Sequence, residues 1–375
     1  MWDIDKIKQQ KKYCLKKLSS NNLTSEEEIK LKLTILSYIN MLDSSGTFQK
    51  TFFPKIIDLI TNGKYQLYKE NKYKQLLHVN TSGSVTYDEL VFLITLLKKL
   101  VTNEIDYEHI EFDKFNINSD ELLYIANKYY KDFLDDDISN IALNVLNDHT
   151  NINFTKNIRY KKDYLGGNMY MDYIFNNTYI NIYEHQDIND YNSIVHETMH
   201  CVDYLFKSKN PTKYHKVLNE IPGYTSDFLF MDYLENITFN EIELNKLIKQ
   251  KVFTNYSLFN NTFNAIKQNY YNKNRIEMTE YSPMELILES LTPEILSNLI
   301  EIKSIIISYG LYLQIKEDPQ NGLDNFKKYM LNGKPIESDL SFDDIQLSNQ
   351  KLLDIAEQYM NYSKNITSNS KPLYK

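Results

Sequence analysis

Apolar positions recur at helical spacing over most of this chain. Ser25 with Glu28 forms a capping box, and Ile29, Leu33, Leu36 and Ile39 then fall on one face of a helix. Thr86 with Glu89 opens a second such segment, TYDELVFLITLLKKL, and Asn118 with Glu121 a third, ELLYIANKYYKDFL. Pro54 begins or kinks a helix within TFFPKIIDLI, and residues 80–84, NTSGS, make a loop.

The period changes between residues 151 and 185. NINFTKNIRY, GNMYMDYIF and NTYINIYEH are rich in β-branched and aromatic residues, with turns expected at Gly166-Gly167 and Asn176-Asn177. A small antiparallel sheet is predicted here, directly before a helix from about Asn189 to Lys207. Helical spacing resumes after Thr212. Ser282-Pro283 and Thr292-Pro293 each read as an N-cap followed by proline at the first helical position, while residues 317–321 and Asn332-Gly333 interrupt helices. The pattern predicts a mainly α protein of the α+β kind, with an amino-terminal helical region at 1–150 and a region at 151–375 that carries the sheet.

Bulk properties narrow the function classes. The 375 residues, 42% hydrophobic and 25% charged, suit a soluble globular protein. A net charge of −8 argues against a nucleic-acid partner. The opening MWDIDKIKQQKKYCLKK has no apolar stretch of signal-peptide type, and no run approaches the roughly 20 apolar residues of a membrane helix. The expectation is a cytoplasmic protein with no membrane partner; the sequence sets no oligomeric state. Cys14 and Cys201 are too far apart and too few for a disulfide framework, and Cys201 reads as a small buried residue. The 31 tyrosines are read as compositional bias, and the scarcity of Gly (9) and Pro (8) fits long helices.

One stretch carries chemistry: IVHETMHCVD, residues 194–203. His196 and His200 stand four apart, one turn of a helix, so both imidazoles can aim at one point, as a tetrahedral zinc ion requires of two ligands. Glu197, about 100° further round the helix, is placed to act on a water at the metal as general base. Ile194, Val195, Met199, Val202 and Leu205 surround the pair and predict a largely buried helix, where two histidines need partners or a metal. A third ligand must come from elsewhere. Asp203 is on the same helix and would be strained as a ligand. Glu220 and Asp227, seven residues apart in LNEIPGYTSDFLFMDYL, share a helix face, so one could ligate and the other orient a histidine.

HETMH followed by Glu220-Ile-Pro-Gly-Tyr-Thr-Ser-Asp227 resembles the oligoendopeptidase F and thimet oligopeptidase family of zinc peptidases. That family has HExGH and then a ligand glutamate in an E-x-P/A-S context, with a second acid seven residues on. TYINIYEH is similar to the family's edge strand along the substrate, and residues 308–337 resemble its carboxy-terminal end. The likeness covers roughly residues 155–340. It implies a large helical zincin body and a peptidase acting on short peptides. It implies one Zn2+ per chain held by His196, His200 and Glu220, with Glu197 as base and Asp227 as the second acid, behind the ligands; Asp203, on the histidines' own helix, is read as a further acid behind them. The family also supplies tyrosines to hold the oxyanion. Alignment on Gly310 puts Ile305 and Ile307 there, leaving Tyr309 or Tyr312 as substitutes in a shifted register. Met199 replaces the family's glycine, Asp203 replaces a histidine, and the chain is shorter at its amino-terminal side, which implies a more open channel. Two other readings compete. Asp203-Tyr204 after the motif resembles lethal-factor-like toxin zincins with a specific protein substrate, whose ligand glutamate would here be Glu235 or Glu241. A zinc-stabilised protein that binds peptides without cutting them is the second.

Overall fold

The computed structural model describes residues 2–19, 23–42, 87–101, 118–133, 135–156, 166–206, 220–237, 241–332 and 345–368. Pro54, the loop at 80–84, Thr86, Lys207 and Gly333 lie outside them. The described residues form twelve α-helices and one three-stranded sheet, the mainly α architecture expected. They divide into two compact units by internal contacts.

The first unit contains α1 (Ile4–Leu18), α2 (Ser25–Leu42), and, with α3 (Tyr87–Leu100) left to the second unit, α4 (Ser119–Lys131) and α5 (Asp136–Asn147). The sheet strands β1 (Ile152–Lys156), β2 (Gly167–Asp172) and β3 (Asn177–Glu184) and the helix α6 (Asn189–Phe206) complete it. The capping box of α2 lies one residue earlier than expected. The Thr24 hydroxyl accepts from the Glu27 backbone N–H at 3.2 Å, and the Glu27 carboxylate accepts from the Thr24 N–H at 3.0 Å. Both registers satisfy the same S/T-x-x-E pattern, so composition alone could not separate them. The Asn118 cap of α4 is as predicted, accepting from the Glu121 N–H at 2.8 Å.

The sheet departs from expectation in its pairing. Its order is β1-β3-β2, with β2 antiparallel to β3 and β1 parallel to it. The sheet is therefore mixed, not antiparallel, and TYINIYEH is its middle strand, not an edge. Five consecutive residues of β3, Thr178 to Ile182, are buried, as suits a strand covered on both faces. Asn176, with φ 54°, closes the β2–β3 hairpin where a turn was predicted. Gly166-Gly167 is not a turn: Gly166 accepts from the Tyr183 N–H at 3.0 Å, and Gly167 begins β2. Asp172 ends β2 by accepting the N–H groups of Ile174 and Phe175 (3.0 and 2.9 Å) and the buried Tyr38 hydroxyl of α2. Trp2, the single tryptophan, donates its indole N–H to the carbonyls of Asn151 and Ile180, both at 3.2 Å, and meets Tyr170 edge-on.

The second unit comprises α3, α7 (Glu220–Asn236), α8 (Glu241–Asn274), α9 (Met284–Leu288), α10 (Pro293–Glu317), α11 (Pro319–Asn332) and α12 (Asn349–Ser368). Thr292 caps α10 with Pro293 at its first position, as predicted. At α9 the cap is Pro283 itself, without a side-chain bond, because the Ser282 hydroxyl accepts from the Thr279 N–H at 2.9 Å in the preceding turn. The expected break at 317–321 shrinks to Asp318 alone.

Contrary to the sequence reading, one segment, residues 294–317 of α10, is long and apolar enough to cross a bilayer by length and composition. Its most apolar window is 83% buried within the fold, and its two central charges have partners inside the unit. The Lys303 ammonium lies 2.6 Å from the Glu89 carboxylate and over the Phe92 ring, and Glu301 accepts from the Tyr224 hydroxyl at 3.0 Å. These two charges hide the apolar run in the sequence, and their pairing marks a core helix.

Trp2→Ala removes a buried ring and two hydrogen bonds between the chain start and the sheet. A stability loss of about 3–5 kcal/mol is expected from urea unfolding followed by far-ultraviolet circular dichroism. In the unsubstituted protein the Trp2 emission should shift to longer wavelength in the same transition. A loss under about 1 kcal/mol would contradict this packing.

Candidate metal centre

The helix α6 is built to be buried. Ile194, Val195, Met199, Cys201 and Val202 are fully enclosed, and Tyr130 of α4 donates to the Val195 carbonyl at 2.8 Å. Burial pushes the Cys201 thiol up to about 12, so it is an inert packing residue. On this helix the imidazoles of His196 and His200 turn toward a common point, their Nε2 atoms 3.0 Å apart and their rings at 81°. Two nitrogens about 2.0–2.1 Å from one tetrahedral zinc lie about 3.3 Å apart, so the pair needs little adjustment to share an ion. His200 is buried and His196 half-buried.

Glu197 is 8% exposed and stands against the start of β2. A Cβ on Gly167 would fall 2.6 Å from Glu197 Cγ, and one on Gly166 would fall 2.3 Å from Ser193 Oγ. Two adjacent glycines therefore let the strand run directly along the face of α6 that carries Ser193 and Glu197. The sequence reading took this pair for a turn and missed its role; its place just before a histidine-bearing helix was the available signal.

The start of α6 is tied to the end of β3 by Asp190. Its buried carboxylate accepts from the His185 N–H (2.8 and 3.1 Å) and the Gln186 N–H (2.8 Å). Gln186 takes a positive φ of 60° to make this corner.

Among the described residues, one group of three ligand-type side chains could hold a metal. His196, His200 and Glu220 each offer one ligand atom, and those atoms all lie within 4.8 Å of one another. Two imidazoles and one carboxylate are a donor set that suits zinc and leave room for a further ligand.

No family model and no curated protein matches the chain. Solved structures do. A Bacillus anthracis protein assigned as an oligoendopeptidase F superposes with a TM-score of 0.55 at 11% identity, covering 97% of this chain and 75% of that one. A second protein assigned as an oligoendopeptidase F gives 0.52 at 10% identity, over 98% and 77% of the two chains. PZ peptidase A, solved with an inhibitor, gives 0.54 at 10% identity, over 95% and 72%. The chain has the oligoendopeptidase F fold.

Within this oligoendopeptidase F fold, the remaining residues singled out from the sequence are spread over both units. Asp203 is buried in α6. Asp227, two turns along α7 from Glu220, is ion-paired with Lys251 at 2.6 Å. Glu235 is not in the ligand group, and the side chain of Glu241 lies outside the described residues. Ile305 and Ile307 are fully buried in α10. Tyr312 donates its hydroxyl to Asp232 (3.0 and 3.1 Å), which also pairs with Lys316 at 2.9 Å. Tyr309 packs among Phe228, Tyr359 and Tyr362 with ring centroids 5.1 to 5.6 Å away. Burial raises the pKa of both hydroxyls well beyond the ordinary tyrosine value, so both stay protonated donors.

Two measurements test the packing of α6. Gly167→Ala forces a methyl group against Glu197 and should cost about 1–3 kcal/mol in chemical denaturation; unchanged stability would show that the strand can back away freely. Asp190 gives a pH signature. Burial pushes its carboxyl up to about 6; the His185 and Gln186 N–H groups oppose this, neighbouring Asp187 adds to it, and the His185 charge opposes it. An unfolded aspartate titrates near 3.9. Between these values the folded state holds a proton that the unfolded state has released, so stability falls as pH rises from about 4 to about 6 and levels off above. The fall attributable to Asp190 is on the order of 2–3 kcal/mol, and Asp190→Asn should flatten it. An identical pH–stability curve for the variant would contradict the assignment.

Proposed function

We propose that this chain is a zinc-dependent peptidase that hydrolyses short peptides, with one Zn2+ per chain held by His196, His200 and Glu220. The observation that carries the reading is that two histidines of an HExxH helix and Glu220 of α7 offer ligand atoms within 4.8 Å of one another. The fold supports it, since the similar structures are described as oligoendopeptidases and a peptidase.

Bound there, zinc supplies Lewis acidity, which makes a water nucleophilic near neutral pH. The protein's own residues do the rest. Glu197 takes the proton from that water and returns it to the leaving amine. Its side chain is confined by Gly167 and by burial, which restricts it to a small range of positions. His196 and His200 are fixed by one rigid buried helix, with Asp203 behind them on the same helix. Asp227, tied to Lys251, supports α7 under Glu220. Of the two tyrosines, Tyr309 is the better oxyanion donor, because the Tyr312 hydroxyl already serves Asp232.

The test is a quenched-peptide assay together with metal analysis. Glu197→Gln should lower kcat by about 10²–10⁴-fold with zinc retained. His196→Ala and Glu220→Ala should lose zinc. A zinc-loaded protein that cleaves no member of a peptide library would leave the non-enzymatic peptide-binding reading instead. Full zinc retention in Glu220→Ala would move the third ligand to Glu235 or Glu241, as in the toxin-type reading.

A further inference from the structure

We propose that Tyr224 and Glu301 are a positioning pair: they pin the first turn of α7 onto α10 and thereby set how tightly Glu220 grips the metal. The inference rests on the reading of Glu220 as a ligand.

Glu220 lies in the first described turn of α7, and the place of that turn fixes the place of its carboxylate. Among the described residues, α10 ties this turn down at two points. Ser308 donates its hydroxyl to the Ile221 carbonyl at 3.0 Å, and Tyr224, one turn after Glu220, donates to Glu301 Oε1 at 3.0 Å. Glu301 and Ser308 are seven residues apart, two turns along one face of α10, so a single rigid core helix supplies both anchors. The tyrosine is a donor at any working pH. Burial first, then the charges of Glu301 and Glu220, hold its pKa well above the ordinary value. Lys251 sits over its ring at 5.6 Å while pairing with Asp227, which locks the next turns of α7 to α8. Groups that orient a metal ligand without touching the metal commonly change affinity by about 10–100-fold when removed.

Zinc affinity of the full-length chain, measured by competition with a chromophoric chelator near neutral pH, tests this, with metal-free thermal unfolding run in parallel. Tyr224→Phe and Glu301→Ala should each weaken zinc binding by about 10–100-fold. Glu301→Gln keeps an acceptor for the tyrosine and should stay within about threefold of the parent, a rescue that general destabilisation would not give. Affinity within threefold in both folded disruptive variants overturns the proposal. So does a Glu301→Gln protein as weak as Glu301→Ala, since the carboxylate would then act through its charge. If the two disruptive variants do not fold, Ser308→Ala decides: a loss of zinc affinity supports the anchoring of this turn, and an unchanged affinity overturns it. A parent protein that binds no zinc, or binds it equally well as Glu220→Ala, sinks the ligand assignment itself, an outcome distinct from failure of the pair.

Discussion

No side chain fits between β2 and α6 at Gly166 and Gly167, and much of the proposed chemistry depends on that close approach. A strand laid against a helix face normally stands off by the length of its side chains. Here the strand backbone lies against Ser193 and Glu197, one turn before and one residue after His196. The glutamate is therefore confined by covalent backbone rather than by a mobile neighbour. The histidines need no such device, since their common aim follows from the four-residue spacing on a helix whose other faces are sealed in the core.

The way α6 is anchored extends the same logic. Its first turn is fixed to the sheet by Asp190, and its middle is fixed to α4 by the Tyr130 hydroxyl. Asp190 is an instructive compromise. Three hydrogen-bonding contacts from two N–H groups favour its charged form, yet burial outweighs them and the carboxyl titrates high. The corner it makes is held more by geometry than by favourable electrostatics, because an ionised carboxylate there costs stability even as it satisfies the backbone.

What the sequence disclosed depends on the range over which each interaction acts. Helix identity and capping are local, and the Asn118 and Thr292 caps were legible from four-residue patterns. The α2 cap slipped by one residue because Thr24-x-x-Glu27 and Ser25-x-x-Glu28 are equally good signals, and a four-residue pattern cannot choose between them. Strand existence was local too, but strand order was not. Nothing in the alternation of β1 says that it pairs in parallel with the far side of β3. The motif was legible because helical spacing alone joins its three residues. Glu301 was not, since a lone carboxylate in an apolar segment looks the same whether it faces solvent or accepts from a half-buried tyrosine 77 residues away.

Low identity with a shared fold shows which features carry information. At 10–11% identity, about nine in ten aligned residues differ from those of the similar structures, while the fold is shared over nearly the whole chain. The departures at the motif are then informative about packing. Met199 precedes His200 where a glycine was expected, and it is fully buried. A methionine there fills space that a glycine would leave to neighbouring side chains, and its flexible thioether tolerates an irregular cavity. The carboxy-terminal tyrosines follow the same trend. Tyr309, Tyr312, Tyr359 and Tyr362 form one packed cluster with Phe228, and one hydroxyl is committed to Asp232. Aromatic rings there do structural work first, so a hydroxyl free for chemistry must be sought where ring packing leaves the phenol oxygen without a carboxylate partner.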